Sequence, residues 1–383
     1  MGAPRHVLVV TTAGSEERLR ERVLGVSVGL RVLFSAMDAG ATSIEVSGPA
    51  TDALLALAED SRVTVPVLPY APSGEERIVI QADALVSPAL LRELNPDEAL
   101  LAENGQLVAA RTVFRPGSKT AAPLEGLPLL AYEPDRYHYA LHLLDEDARR
   151  RAKGKILGAL IKPTDGPVSR HLNRRVSLAV TRLVLPLGVT PNMMTVVVFL
   201  AGLAAGLFAS SPRYVDQVLG AFLYQLHSIL DGCDGELARL TRRGGRHGAL
   251  LDSIVDDASN LLFWIGLSLG VSRALHAEWP VVAGAVTAVM YLGVISVQYA
   301  VALRETDSGD KHGFWTEGKR PHPIVEIVKV LLRRDAFVLI CFFAVALGGA
   351  PILVALFPVA ATVTLIASLG RLRTRTAGGD RSG

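Results

Sequence analysis

The sequence predicts two folds in series. An α/β Rossmann-like soluble domain is followed by an all-α six-helix transmembrane domain, entered through a juxtamembrane amphipathic helix. Three observations carry this expectation. Short β-branched runs alternate with helical stretches up to about residue 135. Six apolar segments follow residue 190. Asp231 and Asp234 lie inside the second of them and Asp252 and Asp256 inside the third, where an acid is expensive.

Composition sets the frame. With 383 residues, 50% of them hydrophobic, the chain is expected to live partly in water and partly in lipid. A net charge of +2 gives no dominant sign, and no nucleic-acid partner is expected. Cys233 and Cys341 both sit in apolar surroundings, so no disulfide framework is indicated. The first apolar run, Val7 to Val10, is too short for a signal peptide.

In residues 1–135 the expected strands are Val7 to Thr12, Ser43 to Val46, Val63 to Val67 and Ile78 to Gln81. Leu30 to Asp38, Thr51 to Glu59 and Pro88 to Leu94 have helical composition between them, which favours a parallel sheet. Residues 136–166 form a charged helical linker, broken near Lys162-Pro163-Thr164-Asp165-Gly166-Pro167. From Val168 to Leu187, Arg170, Arg174, Arg175 and Arg182 punctuate Leu172, Val176, Leu178, Val180, Leu183 and Leu185, the pattern of a basic helix lying in the headgroup plane.

The membrane domain is expected over residues 167–375, with spans near 191–209, 215–237, 248–271, 280–303, 336–349 and 351–370. Pro191 suits a first helical turn, and Thr190 suits its cap. Six spans put both ends on one side. Arg242, Arg243, Arg246, Arg333, Arg334, Arg371, Arg373 and Arg375 fall there, against Arg213 and Arg273 opposite, so that side is expected to be the cytoplasm. In the loop from Arg304 to Asp335, Ile324 to Leu332 reads as an interfacial helix. Arg304, Lys319, Arg320, Arg333 and Arg334 are candidates for an anion pocket, Arg304 first among them.

On one helix, Asp231, Asp234, Gly235 and Ala238 fall at i, i+3, i+4 and i+7, so acids and small residues share a face. Gly248, Asp252 and Asp256 repeat the arrangement on the next helix, and His227 stands one turn before Asp231. An ionised Asp at membrane depth costs at least roughly 2.5 kcal/mol, so four together call for compensating cations. Oxygen-only ligands suit Mg2+ or Mn2+ rather than zinc, and two such ions would clamp a diphosphate.

The pattern D-x-x-D-G-x-x-A-R, eight residues, then G-x-x-x-D-x-x-x-D resembles the signature of the CDP-alcohol phosphotransferase family, with every position filled. The resemblance implies a six-helix membrane enzyme that moves a substituted phosphate from a CDP-alcohol to an acceptor hydroxyl and releases CMP. It implies that Asp231, Asp234, Asp252 and Asp256 bind two metal ions, and that Asp256 acts as general base. Gly235, Ala238, Arg239 and Gly248 would hold the cytidine diphosphate, and Asn192 in Thr190-Pro191-Asn192 would touch it too. A homodimer is common in the family.

The N-terminal domain resembles sugar-phosphate nucleotidyltransferases. Thr12-Ala13-Gly14-Ser15-Glu16-Glu17-Arg18-Leu19 occupies the place of the phosphate loop, with Gly14 kept and Glu16 where a second glycine belongs. Arg22 stands in for the usual lysine, and Asp83 falls at the metal-ligand position. The domain is therefore read as a degenerate relative. Its placement ahead of the membrane domain is similar to that of bifunctional inositol-phosphate cytidylyltransferase and di-myo-inositol-phosphate phosphate synthase proteins. Two donors stay open: CDP-diacylglycerol, in phospholipid biosynthesis with an acceptor such as inositol phosphate, and soluble CDP-inositol made by an active N-terminal domain. A transporter or a non-catalytic membrane scaffold is the other class, and metal-dependent CMP release separates it from both.

Overall fold

A computed structural model describes residues 5–72, 74–113, 127–162, 165–305 and 333–379. The chain divides into two compact units. One comprises Met1–Pro163, Arg182–Gly188 and Leu237–Arg243, and the other Thr164–Thr181, Val189–Glu236 and Gly244–Gly383.

In chain order the first unit contains β1 (Arg5–Val10), α1 (Ser15–Arg20), β2 (Arg22–Val23), β3 (Val26–Ser27), α2 (Val28–Asp38), β4 (Ala41–Ser47) and α3 (Thr51–Ala58). These are followed by β5 (Val67–Pro69), β6 (Glu76–Gln81), β7 (Ala84–Val86), α4 (Pro88–Glu93), β8 (Glu98–Leu101), β9 (Leu107–Val113), β10 (Ala140–His142) and α5 (Glu146–Ala159). The main sheet has the order β5-β4-β1-β6-β9-β8. Its first four strands are parallel, and β9 and β8 are antiparallel. The fully parallel expectation is thus corrected to a mixed sheet. Residues 98–113 fold back on themselves around Gly105 at φ 79°, and a short turn admits only an antiparallel pair.

The expected strand at Val63 to Val67 is displaced to Val67–Pro69. Pro66 has no N–H for the ladder, so pairing with β4 starts one residue later at Ile44 and Val67. Helix α2 begins where Ser27 Oγ accepts from Leu30 N at 3.4 Å, and it presses Leu30, Leu33 and Phe34 into the core with Ile44, Ile78 and Ile80. The charged stretch predicted as a linker contains α5, capped by Asp145 Oδ1 on Ala148 N at 2.6 Å and lying against β10.

The rest of the described chain is helical. The polar break ahead of it is followed by a π-helical turn at Ser169–Asn173, α6 (Arg174–Val184) and a 3-10 turn at Leu185–Leu187. Six longer elements follow: α7 (Pro191–Ala209), α8 (Tyr214–Thr241), α9 (Arg246–Leu275), α10 (Trp279–Glu305), α11 (Arg334–Ala346) and α12 (Ala350–Gly379). Each expected span is therefore a helix. Among the described residues four are long and apolar enough to cross a membrane: Pro191–Ala209, His247–Leu275, Trp279–Val301 and Ala350–Gly370. α11 is shorter, at 13 residues, and α8 carries the acidic motif within its 28 residues.

Packing follows from small residues and aromatics. A Cβ on Gly206 would lie 2.7 Å from the carbonyl of Leu262, so the close crossing of α7 and α9 requires glycine there. Beneath it, the Tyr224 and Phe263 rings stack with centroids 4.1 Å apart in a core shared with Leu267, Val338, Cys341 and Phe357. Outward faces carry Leu200, Leu207, Val289, Leu292, Ile352 and Ile366, all exposed. That arrangement suits lipid rather than water.

Candidate active site

The site begins with a capped helix. Thr190 Oγ1 accepts from Met193 N at 3.3 Å and Pro191 fills the first turn, as expected. One turn further, Thr195 Oγ1 donates to Asp234 Oδ2 at 2.9 Å, a contact with no signal in the sequence beyond a threonine in an apolar run. Asn192 stands beside Gly248: a Cβ on that glycine would lie 3.5 Å from Asn192 Oδ1. Two residues expected at the nucleotide therefore meet at the starts of α7 and α9.

The four acids converge in two pairs across α8 and α9. Asp234 and Asp252 are within hydrogen-bonding reach of one another, and so are Asp231 and Asp256. Asp252 Oδ1 is buried and has no hydrogen-bond partner among the described residues. His227 is wholly buried; its Nδ1 lies 3.0 Å from the carbonyl of Val198 and its Nε2 3.5 Å from Asp256 Oδ1. It thus stands behind the last acid, one helical turn from Asp231, where the sequence put it.

Arg334, one of the arginines expected for an anion pocket, stands at the start of α11. Its guanidinium ion-pairs with Asp256, and its Nη1 lies 3.3 Å from Asp231 Oδ2. Its Nη2 lies 3.5 Å from His227 Nε2. The signal was the Arg333-Arg334 pair ahead of an apolar run, which reads equally well as a headgroup anchor. Among the described residues, no three carboxylate or imidazole groups point at one centre able to hold a metal ion. Arg334 supplies the positive charge between Asp231 and Asp256 instead. By its chemistry the donor set still fits a hard divalent cation: four carboxylates, all oxygen donors, in two touching pairs with one buried oxygen unpartnered.

Gly235 and Ala238 follow Asp234 on α8, and Arg239 is exposed there. Arg304 lies in the last turn of α10, but its side chain is outside the described residues, as are Lys319, Arg320 and the stretch 324–332.

In the N-terminal unit, Gly14 precedes α1 with φ 80° and Arg22 is exposed on β2. Asp83 is buried and fully engaged. Arg18 Nη2 lies 2.9 Å from its Oδ2, and His142 Nε2 lies 2.9 Å from its Oδ1. His142 Nδ1 in turn bonds Gln106. Burial alone would raise the Asp83 carboxyl, but the His142 hydrogen bond and the His142 and Arg18 charges outweigh it and hold the group below its ordinary value of 3.8.

The family model for CDP-alcohol phosphatidyltransferase matches residues 188–371. The chain is 48% identical over 108 residues to the bifunctional IPC transferase and DIPP synthase of Thermococcus kodakarensis, covering 28% of this chain and 24% of that protein. The protein of the same name from Rubrobacter xylanophilus is 41% identical over 139 residues, 36% of this chain and 31% of that one. The matches thus span about a quarter to a third of those relatives' lengths. A solved structure of Mycobacterium tuberculosis phosphatidylinositol phosphate synthase with CDP-DAG bound aligns over 51% of this chain and 92% of that chain, at 20% identity and a TM-score of 0.39. The matched stretch runs from α7 into α12 and holds the filled signature on α8 and α9, so what the chain carries over residues 188–371 is a CDP-alcohol phosphatidyltransferase domain.

Proposed function

We propose that the protein transfers a substituted phosphate from a CDP-alcohol to the hydroxyl of an acceptor alcohol and releases CMP. The observation that carries this reading is the convergence of Asp231 with Asp256 and of Asp234 with Asp252, beside the Asn192 and Gly248 ledge.

Asp231, Asp234, Asp252 and Asp256 would hold two Mg2+ or Mn2+ ions, which when bound polarise the phosphates and stabilise the leaving CMP. Gly235 and Ala238 leave room for the cytidine diphosphate along α8, with Arg239 and Asn192 at its ends. Asp256 takes the proton from the acceptor hydroxyl, and that oxygen attacks the phosphorus nearer the alcohol as the bond to CMP breaks. Arg334 adjoins Asp256 and is suited to an anionic acceptor such as inositol phosphate, the role expected first of Arg304.

CDP-diacylglycerol is the favoured donor. In the N-terminal domain Glu16 stands in the phosphate loop where a second glycine belongs, which supports a silent nucleotidyltransferase fold; Asp83, at the expected metal position, lies between Arg18 and His142. The second reading, a soluble CDP-inositol donor, is favoured by the names of the T. kodakarensis and R. xylanophilus relatives. Both readings take the protein as a multi-pass membrane homodimer with its site and N-terminal domain on the cytoplasmic side, in line with the arginine distribution.

The test is CMP release by the purified protein in lipid nanodiscs with Mg2+, with CDP-diacylglycerol and CDP-inositol offered in parallel against alcohols including inositol phosphate. Release with one donor and one acceptor identifies the substrates. No metal-dependent release from either donor overturns the reading.

A further inference from the structure

Glu236 lies two residues beyond Asp234 on the opposite side of α8, and its side chain is fully buried. It is not left alone there. Arg174 Nη1 donates to Glu236 Oε1 at 3.0 Å, Ser177 Oγ to the same oxygen at 2.6 Å, and Thr181 Oγ1 to Oε2 at 2.7 Å. Residues 174, 177 and 181 stand at i, i+3 and i+7, so one polar stripe of α6 meets one carboxylate. Arg174 is held from its other side by Asp165, with Nε 3.1 Å from Oδ2.

This gives the expected amphipathic helix a second face. The face that α6 turns inward carries Ser177 and Thr181, both buried, with Leu178 beside them, while Leu183 on α6 and Leu172 and Leu187 on the flanking turns are exposed. A helix that only floated in the headgroups would have no use for a buried polar stripe that matches one buried acid.

The anchor points of residues 165–181 adjoin site residues. Gly232 follows Asp231, and a Cβ there would lie 2.9 Å from Arg174 Nη1 and 3.4 Å from Ser177 Oγ, so α6 approaches α8 closely at this point. Cys233 precedes Asp234, and its Sγ donates to the carbonyl of Ser177 at 3.4 Å. Asp335 follows Arg334, and its Oδ2 accepts from Ser169 N at 2.7 Å. One segment thus grips α8 beside two of the acids and α11 beside the arginine that faces them.

We propose that Glu236 is a positioning residue. Its bonds to Arg174, Ser177 and Thr181 fix the roll of α8, and with it the aim of Asp231 and Asp234 toward a shared divalent cation. The inference rests on the transferase reading above for what the acids hold.

The test compares the full chain, in nanodiscs and a Cys341→Ser background, with its Glu236→Gln variant and with a milder Ser177→Ala, Thr181→Ala double variant that keeps the ion pair. Three quantities are read: maleimide labelling of Cys233, Mn2+ binding by electron paramagnetic resonance, and the Mn2+ concentration for half-maximal CMP release. Glu236→Gln is expected to speed Cys233 labelling and to raise both Mn2+ midpoints roughly 10- to 100-fold, while kcat at saturating Mn2+ changes little. The double variant shifts in the same direction by less, and it carries the test should Glu236→Gln not fold. A folded variant with faster labelling and unchanged Mn2+ midpoints overturns the positioning role alone. A parent protein that neither binds Mn2+ nor releases CMP overturns the transferase reading, and this inference with it.

Discussion

Thr195 and Asp234 share a buried hydrogen bond of 2.9 Å between α7 and α8, so the first helix of the membrane domain orients an acid of the second. Replacing Thr195 by Val keeps the volume and removes the donor. The half-saturating Mn2+ concentration for CMP release is expected to rise roughly tenfold, as for other groups that orient metal ligands. An unchanged metal titration would show that this bond does not aim the acid.

Asp256→Asn is expected to abolish transfer and to leave metal-dependent binding of CDP largely in place, because Asp231, Asp234 and Asp252 remain. Isothermal titration with CDP, set beside CMP release, checks both halves. Full activity in this variant would remove Asp256 from the role of base.

Arg334 offers its guanidinium beside Asp256 and Asp231. Arg334→Gln should raise KM for an anionic acceptor by about tenfold or more, the scale of one lost charge-assisted bond, with KM for the CDP-alcohol nearly unchanged. Equal loss toward both substrates, or toward an uncharged acceptor, would contradict the assignment.

The Asp83 clasp is expected to make the N-terminal domain acid-sensitive. Its carboxyl lies below 3.8 in the folded protein. Its contribution is therefore present above the unfolded value and is lost as pH falls through the lower native one. Asp83→Asn should lower stability near neutral pH and flatten its dependence on pH below about 4. Hydrogen exchange of β6 in the full chain reads this directly; the same acid dependence in both proteins would place the sensitivity elsewhere.

Much of the architecture was legible in advance because the patterns behind it are local. Thr190-Pro191 gave the start of α7 to the residue, since a cap and a proline act within one turn. The strands at Val7, Ser43 and Ile78 were legible from β-branched runs. The antiparallel hairpin of β8 and β9 was not, because Glu98 to Leu101 reads as an ordinary mixed stretch until β9 is placed beside it. Nor was the inward polar stripe of α6. Its leucines and arginines imply a lipid-facing helix, and only the buried Glu236 on another helix gives Ser177 and Thr181 their partner.

The sequence by itself determined the chemistry on offer: four acids at helical spacing in apolar runs, small residues between them, and a Pro-Asn helix start. Spacing along one helix is local, so which side chains share a face follows from the order of residues. Only the tertiary structure decided which faces meet. Thr195 on Asp234, Arg334 on Asp256, Arg174 on Glu236 and His142 on Asp83 each join residues between 39 and 78 positions apart. Such partners are chosen by how glycine-lined helices and a mixed sheet pack, a property of the whole fold that no single stretch of sequence encodes.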